Sequence, residues 1–207
     1  MSGPQQLIEG AARLDVALEA EQAATMLRLL EELARWNRSY NLTAVTTPAE
    51  MLTHHLLDSL SVSGHLVGSR IADVGTGAGF PGLPLAVVHP QRHFTLIDSN
   101  GKKVRFVAHA VRTLGLPNVE ALQARAGEWR PPAPFDTVVA RAFAAQADEP
   151  AARRVLELAL ERLPTPIFVY HEIVHNKHVV ENFRDRGVVF VDTLQEVPRG
   201  ATLLFSA

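Results

Sequence analysis

The chain has 207 residues, 47% hydrophobic and 20% charged, with a formal net charge of −2. That length allows one α/β domain with a helical extension, and no apolar run approaches the ~20 residues that span a bilayer. With no cysteine present, disulfides, thiolate zinc sites and cysteine-held iron–sulfur clusters are excluded, and the near-neutral charge creates no global positive field to attract nucleic acid.

Met1 to Gly10 lacks the basic start and apolar stretch of a signal peptide. Together with the missing cysteines, this predicts a cytoplasmic protein. The first strong periodicity runs from about Glu19 to Tyr40, where Met26, Leu30, Leu33 and Trp36 form one apolar stripe of a helix. A second helix is predicted to open at Thr47 as cap, with Pro48 in the tolerated first position and Glu50 reaching back. Its apolar positions, Leu56, Leu57, Leu60 and Val62, carry it toward Leu66.

From Arg70 the pattern becomes short apolar runs separated by helices. Strands are predicted at Ile71–Val74, Phe94–Ile97, Val119–Leu122 and Thr137–Ala140. Helices follow the first glycine-rich turn and span Lys102–Leu114, with Gly115 as the stop. Beyond Asp148 the order is helix Ala151–Leu163, strand Ile167–Tyr170, helix Lys177–Arg186, then strands Val188–Val191 and Thr202–Phe205. Such alternation predicts a parallel sheet covered on both faces, with right-handed crossovers. Residues 1–66 are read as the helical extension and 67–207 as the α/β domain.

The strongest chemical signal is Asp73-Val74-Gly75-Thr76-Gly77-Ala78-Gly79-Phe80-Pro81-Gly82 at the end of the first strand. Glycines there let backbone lie against a ligand where any side chain would intrude, and ligands of doubly wound sheets bind at this strand edge. Asp98 ends the next strand, where a carboxylate can accept hydrogen bonds from both ribose hydroxyls of an adenosine. Strand, glycine turn, helix, strand and acidic end together point to a nucleoside cofactor. A dinucleotide site wants Gly-x-Gly-x-x-Gly over a pyrophosphate. The Gly-x-Gly-x-Gly spacing here favours S-adenosylmethionine, with a nicotinamide cofactor as the alternative. The fold class expected is therefore a Rossmann-like S-adenosylmethionine methyltransferase sheet with an N-terminal helical extension.

Several ordered segments carry a family resemblance: Trp36-Asn37-Arg38-Ser39-Tyr40-Asn41-Leu42-Thr43, His55-Leu56-Leu57-Asp58-Ser59, Asp73 to Gly82, Asp98-Ser99-Asn100-Gly101-Lys102-Lys103-Val104-Arg105-Phe106 and Arg141-Ala142-Phe143-Ala144. Together they resemble the ribosomal RNA small subunit methyltransferase G family, also called glucose-inhibited division protein B. The resemblance covers about residues 1–145 and implies methylation of N7 of one guanine, position 527 of 16S ribosomal RNA. It implies cofactor contacts at Gly75 and Phe80, a ribose contact at Asp98, adenine contacts at Ala126 and Gly127, and closure of the site by Arg141. Gly127 departs from the family, which usually has glutamate there.

Guanine N7 already carries a free lone pair, so catalysis needs positioning rather than proton removal, and no general base is nominated. Asn41, His55 and Arg141 are the expected orienting groups. An A-form major groove hides N7 from side chains, so the RNA must present an accessible base. Lys102, Lys103, Arg105, Arg112, Arg35 and Arg38 are the expected phosphate contacts, against the alternative of a solvated helix face.

After Ala145 the resemblance changes. Pro166-Ile167-Phe168-Val169-Tyr170-His171-Glu172-Ile173-Val174-His175-Asn176 is similar to a segment of 4-hydroxy-3-methylbut-2-enyl diphosphate reductase, and the likeness extends from about Pro150 to Ala207. That reductase needs a cysteine-held cluster, and this chain has no cysteine. His175 matches a diphosphate-contacting histidine of that family. The chain thus reads as a chimera whose last third offers helix, strand, helix, strand, strand to complete the sheet, the last two as an edge hairpin. His171-Glu172-x-x-His175 also fits a zinc pattern, but it follows a strand and has no third ligand in context, so no metal is expected. Alternatives to ribosomal RNA methylation are a cofactor-binding but catalytically silent fusion and a small-molecule methyltransferase.

Overall fold

The expected parallel sheet is present in a computed structural model, which describes residues 3–125, 133, 135–140, 153, 156–157, 159–161, 165–170, 177–193, 196–198 and 202–205. Strands β1 (Arg70–Val74), β2 (His93–Asp98), β3 (Val119–Gln123) and β4 (Thr137–Val139) form one sheet in the order β3-β2-β1-β4. All its neighbours run parallel, with Asp73 beside Leu96 on one side and Val139 on the other. The chain moves outward in one direction from β1 through β3 and then returns to the far side of β1 for β4. The order therefore reverses next to β1, where doubly wound sheets open a crevice at their carboxyl edge.

Helices α5 (Gly82–Val88) and α6 (Gly101–Leu114) pack on this sheet, α2 (Ala20–Tyr40) packs on both of them, and α1 (Gly3–Ala12) packs on α2. Helix α1 (Gly3–Ala12) buries Leu7 and Ala11; their four-residue spacing marks an apolar stripe too short to stand out in the sequence. Helix α2 (Ala20–Tyr40) starts at a capping box between Glu19 and Gln22 and ends at Asn41, whose φ of 49° is left-handed. Its Met26, Leu29 and Leu33 are fully buried, each contributing about 1.5–3 kcal/mol by the usual burial scale. Helix α5 (Gly82–Val88) is buried from Gly82 to Val87, which is why its sequence is apolar all round. Helix α6 (Gly101–Leu114) is capped by Asn100 and stopped by Gly115 at φ 68°.

The second predicted helix is not one α-helix running toward Leu66. It consists of α3 (Pro48–Met51), a π-helical segment (Leu52–Leu57), α4 (Asp58–Ser61) and a 3₁₀ turn (Ser63–His65). Thr47 caps it as expected, accepting the amide of Glu50. Apolar periodicity identifies the helix but does not distinguish i→i+4 from i→i+5 bonding, because both keep one side buried.

Strands β5 (Ile167–Tyr170), β6 (Val188–Val191) and β7 (Thr202–Phe205) form a second hydrogen-bonded sheet in the order β6-β5-β7. The expected hairpin does not form: β6 and β7 flank β5, and each is parallel to it. A hairpin needs a tight turn, whereas the segment after β6 buries Val197 in the main core on its way to β7. Strands that run in the same direction cannot be joined by a two-residue hairpin turn. Cα atoms of β7 come within 8 Å of β4.

Two buried clusters cover the two faces. The larger joins α1, α2, α5 and α6 to Ile71, Phe94, Leu96 and Val139, and also takes Phe168, Val191 and Val197 from the last third. The other holds Ala140, Leu156, Ala159, Ile167, Val169 and Val188, together with Val180 and Phe183 of α7 (Lys177–Asp185). Ile167 and Val169 thus face opposite to Phe168, as the two-residue period of a strand buried on both faces requires.

Candidate functional site

The site is assembled where β1 and β2 end side by side. Beyond Val74 the chain leaves the sheet, and the amides of Gly75 and Thr76 both donate to the carbonyl of Ile97, at 2.8 and 3.0 Å. Gly75, Gly77 and Gly79 take φ values of 73°, 60° and 90°, a left-handed series that side-chain-bearing residues rarely adopt. Asp73 holds the turn from inside: its Oδ2 accepts the Thr76 hydroxyl at 2.6 Å and the Gly82 amide at 2.8 Å. The aspartate at the head of the glycine signature is thus a brace, fully buried inside the turn it holds.

Asp98 faces the other way. Its Oδ2 accepts the amide of Gly77 at 2.9 Å, and its Oδ1 accepts that of Asn100 at 2.8 Å. Asn100 in turn caps α6 through Lys102. One carboxylate therefore joins the glycine turn to the start of α6. Each oxygen has a second acceptor position left for a hydroxyl donor. A methyl group placed on Gly77 meets nothing nearer than 4.0 Å, the limiting atoms being Gly75 O and Lys103 Nζ. On Gly79 it overlaps Leu83. Gly77 thus has room for a methyl group beside the residue that holds its amide, Asp98, whereas Gly79 packs into the fold. The remaining acceptor positions of the carboxylate suit a group with two hydroxyl donors.

Phe80 closes the turn. Its amide donates to Thr76 O at 3.0 Å, and its ring stacks on the imidazole of His55, with centroids 4.7 Å apart and planes inclined by 20°. His55 Nε2 is hydrogen-bonded to Thr43 Oγ1 at 3.0 Å. Asn37 grips the same threonine by its backbone, accepting its amide at 2.9 Å and donating to its carbonyl at 3.0 Å. Trp36 packs edge-on against Phe106 of α6, with centroids 5.7 Å apart.

Gly75, Phe80 and Asp98 are therefore brought together, with His55 beside Phe80. Asn41, expected to orient substrate, is exposed and serves as the left-handed cap of α2. Ala126, Gly127, Arg141, His171, Glu172 and His175 lie outside the described residues. Of the cationic residues, Arg35 and Arg38 on α2 and Lys102, Arg105 and Arg112 on α6 are exposed, and Arg35 is also paired with Glu32 at 3.3 Å. Sequence reasoning did not single out the bracing role of Asp73 or the Asn37–Thr43 clamp. Both depend on partners that only folding identifies. Among the described residues no helix is long and apolar enough to cross a membrane, and no cluster of three or more His, Asp or Glu side chains is placed to hold a metal ion.

The family model described as rRNA small subunit methyltransferase G matches residues 22–156. The chain belongs to that family. It is 50% identical over 133 residues to the Ribosomal RNA small subunit methyltransferase G of Pasteurella multocida (strain Pm70), covering 64% of this chain and 63% of the relative. Against the protein of the same name from Vibrio campbellii (strain ATCC BAA-1116), identity is 48% over 137 residues, covering 66% and 65%. The chain thus spans slightly less than two thirds of the length of these curated relatives. A second family model, described as LytB protein, matches residues 150–207, which is the composite character read from the sequence. Among solved structures, StiE O-MT residues 961–1257 superposes with a TM-score of 0.51 at 15% identity, covering 73% of this chain and 58% of that one. This likeness concerns the fold.

Proposed function

We propose that this chain transfers a methyl group from S-adenosylmethionine to N7 of a guanine in small-subunit ribosomal RNA, the position numbered 527 in 16S RNA. The reading is carried by the left-handed glycine turn, with Asp98 tied to it through the amide of Gly77, in a chain of this family. Asp98 would hold the ribose hydroxyls, Gly75 and Phe80 the methionine side, Ala126 and Gly127 the adenine, and Arg141 would close the site. The cofactor, when bound, supplies a sulfonium methyl that is already electrophilic. What remains for the protein is to hold a guanine edge in line with that methyl and to tolerate charge moving onto the purine. The RNA approaches over α2 and α6, where Arg35, Arg38, Lys102, Arg105 and Arg112 offer phosphate contacts. The division at residue 66, between an extension that helps receive RNA and a domain that binds cofactor, belongs to the same reading, as does a cytoplasmic location.

One observation favours a second reading, in which the chain binds cofactor but does not transfer. Residues 150–207 are matched by the LytB family model, and the methyltransferase family model ends at residue 156. Calorimetric titration of S-adenosylhomocysteine, beside an Asp98→Ala control, tests the cofactor site. Saturable binding lost in the control supports it, and a cooperatively folded protein that does not bind refutes it. Transfer of labelled methyl to small-subunit RNA then separates the two readings, and transfer without RNA would indicate a small-molecule substrate instead.

A further inference from the structure

A continuous set of contacts runs from the end of α2 to the glycine turn: Asn37 to the backbone of Thr43, Thr43 Oγ1 to His55 Nε2, and the His55 ring to the Phe80 ring. Every link is short, and His55 and Phe80 are both buried, at 6% and 2% exposure. His55 sits in the π-helical segment Leu52–Leu57, and the hydroxyl of Ser59 donates to its carbonyl. Single-turn π segments commonly mark places where a helix re-aims a side chain.

We propose that His55 is a positioning residue for the cofactor-binding turn: its ring holds Phe80 in place, and Thr43 sets the orientation of that ring. The proposal rests on the methyltransferase reading above and extends it to a residue outside the turn. The Phe80 side chain is buried in the main core beside the turn, and there it meets the nearly parallel ring of His55. A ring that served only to fill space would need no polar edge. An imidazole buried at this point must be hydrogen-bonded to offset its desolvation, and its bond to Thr43 fixes the angle at which it meets Phe80. The neighbouring amide of Val45 also donates to Thr43 Oγ1, at 3.1 Å, which holds the hydroxyl in place for His55.

The test uses the full chain and four variants. His55→Phe keeps a ring against Phe80 and removes the bond to Thr43. His55→Ala removes both. Thr43→Val removes the hydroxyl, and Thr43→Ser restores it. Each is titrated with S-adenosylhomocysteine by calorimetry, melted without ligand, and assayed for the KM of RNA. His55→Phe and Thr43→Val are expected to weaken cofactor affinity about three- to tenfold, and His55→Ala at least as much. Thr43→Ser is expected to match the parent, and the KM for RNA to stay unchanged in all four. Variants that melt at lower temperature yet bind cofactor with parental affinity would make His55 a core histidine and overturn the proposal. A Thr43→Ser variant as weak as Thr43→Val would also overturn it. A parent chain that does not bind S-adenosylhomocysteine overturns the methyltransferase reading and this proposal with it. Should His55→Ala fail to fold, the two Thr43 variants decide the matter.

Discussion

The carboxylate of Asp73 accepts the amide of Gly82 at 2.8 Å, joining the last turn of β1 to the first residue of α5 across the whole glycine loop. The same oxygen accepts the Thr76 hydroxyl, so one buried carboxyl group organises the turn from both ends. Asp73→Leu keeps roughly the size but removes the acceptor that both donors share. It is expected to cost about 1–3 kcal/mol, the scale for leaving buried donors unpaired, read as a lowered urea midpoint with an unchanged slope.

Gly77 and Gly79 share a left-handed backbone but differ in what surrounds them. Gly77→Ala finds room for its methyl, nothing lying nearer than 4.0 Å, and carries mainly the backbone strain, about 1–2 kcal/mol. Its methyl enters the proposed ligand space, so cofactor affinity should fall by more than stability does. Gly79→Ala overlaps Leu83, itself fully buried, and is expected to lose stability by more than Gly77→Ala. Thermal melts and calorimetric titration of both variants check the contrast. Equal losses of stability would contradict the difference in room between the two glycines.

Asp136 accepts the amides of Ser69 and Arg70 at 2.8 and 2.9 Å, joining the entrances of β4 and β1. Those two backbone bonds, outweighing a small opposing effect of burial, hold its carboxyl below the usual value of 3.8, with the Arg70 charge adding to the effect. A lowered carboxyl pKa stabilises the fold above the unfolded value. That contribution is lost as pH falls through the folded value. The melting temperature of the parent should therefore drop on acidification below about pH 4, and Asp136→Asn should lack that component of the drop.

His89 behaves in the opposite sense to a salt-bridged histidine. Burial, and secondarily the charge of Arg92, lower its pKa from 6.5 to about 4, and its Nε2 is hydrogen-bonded to Ser63 Oγ at 2.8 Å. Between these values the unfolded chain binds the proton and the folded chain does not, so stability falls as pH is lowered from about 6.5 toward 4. The full shift corresponds to about 3 kcal/mol, and partial exposure of the ring screens this to about 1–2 kcal/mol. Urea midpoints at pH 7 and pH 5 should differ in the parent and converge in His89→Gln.

Lys102 and Arg105 lie one turn apart on the exposed side of α6. Reversing both charges, Lys102→Glu with Arg105→Glu, should leave S-adenosylhomocysteine affinity within about twofold and weaken RNA binding with a reduced salt slope. Parental RNA affinity in the double variant would remove α6 from the RNA face.

The strands were legible because each apolar run is short and bounded by turn residues, and the order of alternation admits one sheet class. Asp98 and the glycine turn were legible for a similar local reason: only glycine tolerates three left-handed positions in five residues, and the acidic residue closes the adjacent strand. The W-N-x-x-x-N-L-T segment was legible as a signature but not as a mechanism. Trp36 packs on Phe106, Asn37 grips Thr43, and Asn41 is a helix cap. The structure adds to Asn41 a conformational role as the left-handed cap of α2, which its backbone fills while its side chain stays exposed. Helix α1 was missed because two buried positions, Leu7 and Ala11, make too short a stripe to register.

Local chemistry and period therefore determined the elements, the cofactor turn and its acidic partner, since backbone sterics and side-chain alternation act over a few residues. Only the tertiary structure decided which way the last third would pair. The hydrogen-bonding edge of an apolar strand accepts a partner in either direction, and in the fold β6 and β7 both run parallel to β5, on its two sides. The same holds for His55: its helix position follows from periodicity, but its contact with Phe80 exists because two segments far apart in the chain share one core.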